Sequence, residues 1–162
     1  MHGTIVQVNI SPGGLPKHPV TGGLISFLGV EGDAHAHPQI HGGLQKAILI
    51  IAAEVVDELI SRGYPLFYGA LGENLSTRGI PIRDLRLGDR LRAGEALLEI
   101  THPRGPCTAL HIYGESLKGE IYDARVKALD PASERWGMSG FYARVLKPGV
   151  VRVNDLISTL TI

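Results

Sequence analysis

The chain has 162 residues, 44% of them hydrophobic and 20% charged, which suits one globular domain with a sizeable core. Sixteen Lys and Arg balance sixteen Asp and Glu, so no broad field marks the chain as a partner of nucleic acid or of an anionic membrane. A single cysteine excludes an internal disulfide, the start MHGTIVQVNISPGG lacks the character of a signal peptide, and Ala47 to Ala53 is too short to span a bilayer; a cytoplasmic protein is expected.

Twenty-one glycines and ten prolines cut the chain into short segments of the kind that build small barrels and sandwiches. Gly3 to Asn9 alternates and predicts a first strand, ended by the turn Ser11-Pro12-Gly13-Gly14. His18 to Gly22 reads as a turn and Gly23 to Val30 as a second strand. The apolar run Ala47 to Ile51 fits a buried strand or the start of a helix, and is read as strand. From Ala52 the period becomes helical, with Val55, Val56, Leu59 and Ile60 on one face and Gly63 placed to end it. Leu85 to Ile100 predicts a strand pair around Ala93-Gly94, with a bend at Gly88-Asp89. Ser116 to Leu129 predicts a second helix stopped by Asp130-Pro131, and Phe141 to Leu146 and Val150 to Ile157 predict the last strands. The expected class is mainly β with a few helices, α+β, in one domain covering 1–162.

Three clusters could carry chemistry. In Thr101-His102-Pro103-Arg104-Gly105-Pro106-Cys107 two prolines stiffen the backbone, and an arginine three residues before the thiol favours the thiolate, which attacks, carries sulfur or binds a soft metal. The plainer reading of a lone cysteine is a small buried hydrophobe. In Gly69 to Ser76, Gly72 exposes backbone N–H and Asn74 offers donor and acceptor beside Glu73, so the loop suits a polar ligand or a plain turn. His35, His37 and His41 invite a zinc proposal, but there is no second cysteine and the ligands do not sit on regular structure. His41-Gly42-Gly43 with Lys46 reads better as an anion cradle, and no P-loop is present.

The order of motifs is distinctive: V-E-G-D, H-G-G, G-E-N-L, L-x-x-G-D-R-L, P-R-G-P-C, then F-Y-A-R-V-L-K-P-G. From about Val30 to Ile157 this resembles the MOSC domain, named for the C-terminal domain of molybdenum cofactor sulfurases, in its small free-standing bacterial form. The resemblance implies a β-barrel-like core and a cleft for the molybdenum cofactor, a pterin carrying a dithiolene-bound metal and a phosphate. Cys107 matches the family's marker cysteine, a sulfur carrier or a thiolate ligand to molybdenum. By position, His41, Gly42, Gly43, Glu73, Asn74 and Arg104 would line the cleft; Tyr142 and Arg144 are weaker candidates. Asn154 stands where glycine is commoner, at a position that accepts positive φ. The chain lacks the aminotransferase-like domain that holds pyridoxal phosphate in full sulfurases, so that cofactor is not expected.

The function implied is reduction of N-hydroxylated bases or amines, with Cys107 as metal ligand and an external reductase supplying electrons. A sulfur carrier using a Cys107 persulfide, fed by a sulfur donor, or a cofactor-delivery protein, is the alternative; a plain interaction module is a third reading. A homodimer through a strand edge is compatible with the sequence, although no residue argues for it.

Overall fold

The computed structural model describes residues 1–34 and 42–161. Among these residues eleven strands form: β1 (His2–Ile10), β2 (His18–Val20), β3 (Gly22–Ser26), β4 (Gly29–Val30), β5 (Ile48–Ala52), β6 (Leu75–Arg78), β7 (Arg90–Ala93), β8 (Ala96–Pro103), β9 (Phe141–Lys147), β10 (Gly149–Arg152) and β11 (Leu156–Leu160). Three helices accompany them: α1 (Ala53–Ser61), α2 (Leu117–Ile121) and α3 (Ala124–Lys127). Strand neighbours run β11-β7-β8-β9-β5-β6-β1, and β1 returns to β11 through His2↔Ser158 and Thr4↔Leu156, so seven strands close into a barrel. Closure leaves this ring without a free edge. β2 extends β1, and β10, β3 and β4 form a separate small sheet.

The ring is antiparallel except for β5 and β6, which α1 and the following loop connect as a crossover. Every residue of β5 is buried, which explains why its apolar run does not alternate. Ile5, Ile48, Leu75, Leu91, Leu98, Phe141 and Ile157 belong to one continuous core. Val55, Val56 and Leu59 of α1 join it, as the helical period predicts, while Ile60 remains exposed. No helix among the described residues is long and apolar enough to cross a membrane.

Several boundaries differ from expectation. His18 to Val20 pairs with β1 instead of only turning, and Gly23 to Val30 is a hairpin, bent at Phe27 and Leu28, instead of one strand. Ser26 Oγ donates to the Gly29 carbonyl across that bend at 3.1 Å. The helix expected over Ser116 to Leu129 breaks in two, because Tyr122 and Asp123 are extended and the Asp123 carboxylate caps α3 by accepting from Val126 N at 2.9 Å. The segment Val150 to Ile157 is cut at Asn154, whose φ of 75° reverses the chain between β10 and β11.

Candidate functional site

Strand β8 delivers the Pro-Arg-Gly-Pro-Cys segment. Arg104 N donates to the Gly140 carbonyl at 2.9 Å and its own carbonyl accepts from Ser139 Oγ at 2.5 Å, so the segment leaves the barrel tied to the approach of β9. Cys107 follows, partly exposed, and starts the 3-10 turn Thr108–Tyr113, where its carbonyl accepts from Leu110 N at 3.2 Å.

A cleft of about 690 Å3 opens beside it. Its walls come from Gly13, Gly14, Leu15 and Lys17 after β1, from Ala34, from Lys46 and Leu49, from Leu71, Gly72 and Asn74, and from the segment carrying Arg104, Cys107 and Ile112, with Tyr142. Among the described residues its charged lining is Lys17, Lys46 and Arg104, all cationic, in a chain of zero net charge.

Arg104 is 3% exposed, and Nη2 donates to the Leu71 carbonyl at 2.8 Å, but Nε and Nη1 have no partner. Glu73 is 0% exposed, and neither carboxyl oxygen has a hydrogen-bond partner; the buried Tyr113 hydroxyl also lacks one. Burial pushes the Glu73 carboxyl above the usual carboxylate range, against the pull of the amides of Glu73, Gly69 and Leu71 and of the Arg104 charge. Burial pulls the Arg104 guanidinium down, opposed by Tyr142, Cys107 and Glu73. Burial raises the Tyr142 phenol, opposed by Arg104. Buried donors left unpaired cost about 1–3 kcal/mol each.

Asn74 is fully engaged. Its Oδ1 accepts from Leu49 N at 3.0 Å, and its Nδ2 donates to Asp33 Oδ2 at 2.9 Å and to the Asn9 carbonyl at 3.3 Å. Asp33 also accepts from Ser11 N at 2.8 Å and from Lys17 Nζ at 2.6 Å, in an ion pair whose side chains are 6% and 3% exposed. Opposite, the Lys46 ammonium lies 5.2 Å from the centre of the Tyr142 ring.

Cys107, Arg104, Lys46, Gly72, Asn74 and Tyr142 thus meet at one cleft. Glu73 sits behind the wall, and Gly43, with φ 80°, starts the 3-10 turn Leu44–Lys46 next to Gly42. His41, His35 and His37 lie outside the described residues. Among the described residues no group of His, Cys, Asp and Glu gathers as a metal site. Arg144 is not at the cleft: it lies on the outer barrel face, where Nη2 is 2.8 Å from Glu99 Oε1. Lys17 escaped the sequence reading because its counter-ion is sixteen residues away on another loop. The aspartate of V-E-G-D was the available signal for that pair.

A model of the MOSC domain matches residues 37–158. The chain is 32% identical to the uncharacterised protein YflK of Bacillus subtilis over 85% of its length and 59% of that protein's. It is 32% identical to protein YiiM of Escherichia coli over 93% of its length and 66% of that protein's. It therefore spans about three fifths to two thirds of these relatives. A Gibberella moniliformis protein named reductase is 32% identical over 83% of the chain, which covers 23% of that longer protein. The crystal structure of YiiM from Geobacillus stearothermophilus superposes with a TM-score of 0.69 at 28% identity, covering 98% of this chain and 75% of that one.

Proposed function

This chain belongs to the MOSC domain family, and on that premise we propose that its cleft binds the molybdenum cofactor and that the protein reduces N-hydroxylated bases or amines in the cytoplasm with electrons from an external reductase. The carrying observation is the buried Arg104 guanidinium, with two nitrogens unpartnered, on an otherwise cationic wall beside the lone thiol. That donor set fits the group: an anionic phosphate is matched by Lys46 and Arg104, and a soft metal by the Cys107 sulfur.

In this reading Cys107 would ligate the metal, and Arg104 and Lys46 would hold the anionic groups, with Lys17 beside them in its pair with Asp33. The bound cofactor supplies the two-electron redox chemistry. Tyr142 and the apolar Leu49 and Leu71 close one side against water. The Leu71 carbonyl holds Arg104 in place from behind. The net reaction breaks an N–O bond, takes up an electron pair and two protons, and releases water. The redox reading is supported by the name of the fungal relative, while the substrate class comes from the family resemblance.

The experiment is purification from cells able and unable to make the cofactor, followed by assay of N-hydroxylaminopurine reduction with dithionite as electron source. Activity confined to the first preparation is expected; none in either removes the reading. The partial exposure of Cys107 at the cleft also suits a sulfur carrier. That alternative predicts a sulfane-sulfur adduct on Cys107 by mass spectrometry and no turnover by protein loaded with cofactor.

A further inference from the structure

The outer face of β7, β8 and β9 carries a compact cationic grid. Across the strands Arg90 pairs with Glu99 and Glu99 with Arg144, while in the adjoining row Arg92 pairs with Leu97 and Leu97 with Lys147. Leu91, Leu98 and Val145 are buried while the six are exposed or half-exposed; a register shift between the Leu98–Val145 and Leu97–Lys147 pairs breaks the alternation of β9 and brings Lys147 to the outer side with Arg144. Four cations stand at the corners, with one carboxylate and one half-exposed leucine between them.

The charge is arranged as well as unbalanced. Glu99 Oε2 accepts from Arg90 Nε at 3.2 Å and Oε1 from Arg144 Nε at 2.9 Å, which holds two guanidiniums in place on the sheet. Their remaining N–H groups are then presented with part of their rotamer freedom already lost, which lowers the entropy cost of docking. Arg92 and Lys147 take part in none of the described ion pairs. At the end of the grid, Glu95 and Arg152 approach to 3.8 Å and cancel each other. The β11 residues beside Arg90 and Arg92, Leu160 and Ser158, are uncharged. The whole chain is neutral, so this local excess is not a sample of its overall charge.

We propose that this face docks an acidic protein surface and, resting on the reading above, that the acidic protein is the electron donor. Charge complementarity identifies the occupant, and Leu97 gives the contact a central apolar point. Three strands spaced about 4.8 Å apart make the grid roughly 10 Å wide, enough for a cluster of carboxylates but short for the run of phosphates that nucleic-acid binding draws on. β8 carries the grid and leads into Arg104, about 16 Å beyond Glu99 at ~3.3 Å per residue, so the docking face lies on the strand that leads to the cleft.

The test uses cofactor-free full chain and a flavodoxin, an acidic flavin-carrying electron carrier, as probe. Affinity is measured at about 0.01 M and about 0.15 M salt, between which the Debye length falls from about 30 to about 8 Å. The inference expects binding that weakens about 10-fold or more with salt, and similarly in the charge-reversed Arg92→Glu/Lys147→Glu variant at low salt. It is overturned if the wild type does not bind, if reversal leaves affinity unchanged, or if a random-sequence DNA duplex binds more tightly than flavodoxin and is lost on the same reversal. With cofactor-loaded protein, reversal should slow flavodoxin-driven turnover and leave dithionite-driven turnover unchanged. Failure of turnover with both donors would count against the reductase reading and leave the binding result standing.

Discussion

Arg104 and Leu71 are joined by a hydrogen bond of 2.8 Å in which Nη2 donates to the Leu71 carbonyl, so the segment bearing Cys107 is fastened to the turn bearing Glu73 and Asn74. The fork geometry of a guanidinium lets Arg104 hold Leu71 through Nη2 while Nε and Nη1 stay buried and unpartnered. Arg104→Lys keeps the charge but loses the fork. Bound molybdenum per chain should fall about 10-fold in Arg104→Lys, as for loss of a residue supporting a metal site. Equal loading of Arg104→Lys and wild type would show that charge alone suffices.

The carboxyl of Glu73 offers a pH test. Its folded pKa is raised above the ordinary value of 4.5, so the native state holds this proton more tightly than the unfolded chain. Native stability is therefore favoured at low pH by this group and is lost as pH rises from the ordinary value through the raised one. Denaturant midpoints of Glu73→Gln should lack this downward slope, and the variant should gain on wild type as pH rises. Parallel pH profiles would contradict the assignment.

Lys17 and Asp33 form a buried pair, and removing one partner strands the other charge. Lys17→Met should cost about 3–5 kcal/mol. Lys17→Met/Asp33→Asn, which leaves no charge at this pair, should recover part of that loss while loading with cofactor stays low. A double variant no more stable than Lys17→Met would mean that the pair's charges are not the issue.

Gly69 has φ 101°, and a Cβ there would run into the Lys17 carbonyl, with Asn9 Cγ at 3.2 Å. Gly69→Ala should lose about 1–3 kcal/mol in chemical denaturation from backbone strain alone. An unchanged midpoint would show that the turn relaxes freely.

The local parts of this fold were legible in the residues. Alternation marked β1, Gly63 marked the end of α1, and Asn154 marked a turn that needs positive φ. What depended on distant partners was not. β6 starts at the end of the Gly69 to Ser76 segment, read as a loop, and becomes a strand by pairing with β1 and β5. His18 to Val20 contains a proline and is ordered by β1. The helix expected over Ser116 to Leu129 had its period, but the Asp123 cap restarted it in a new direction. At the site, local sequence exposed Cys107, Arg104 and Gly72, whereas Lys17 depends on an aspartate brought to it by the fold. Glu73 was visible as a motif residue but not as one buried behind the wall.

The proposed chemistry depends on the sulfur of Cys107 meeting molybdenum. The direct measurement is metal content per chain, by mass spectrometry, of wild type and Cys107→Ala made in a cofactor-competent host, with melting temperature as a check on folding. Molybdenum approaching one atom per wild-type chain and reduced about 10-fold or more in a folded Cys107→Ala is the predicted result. Wild type without molybdenum, or Cys107→Ala loaded as fully as wild type, would contradict it.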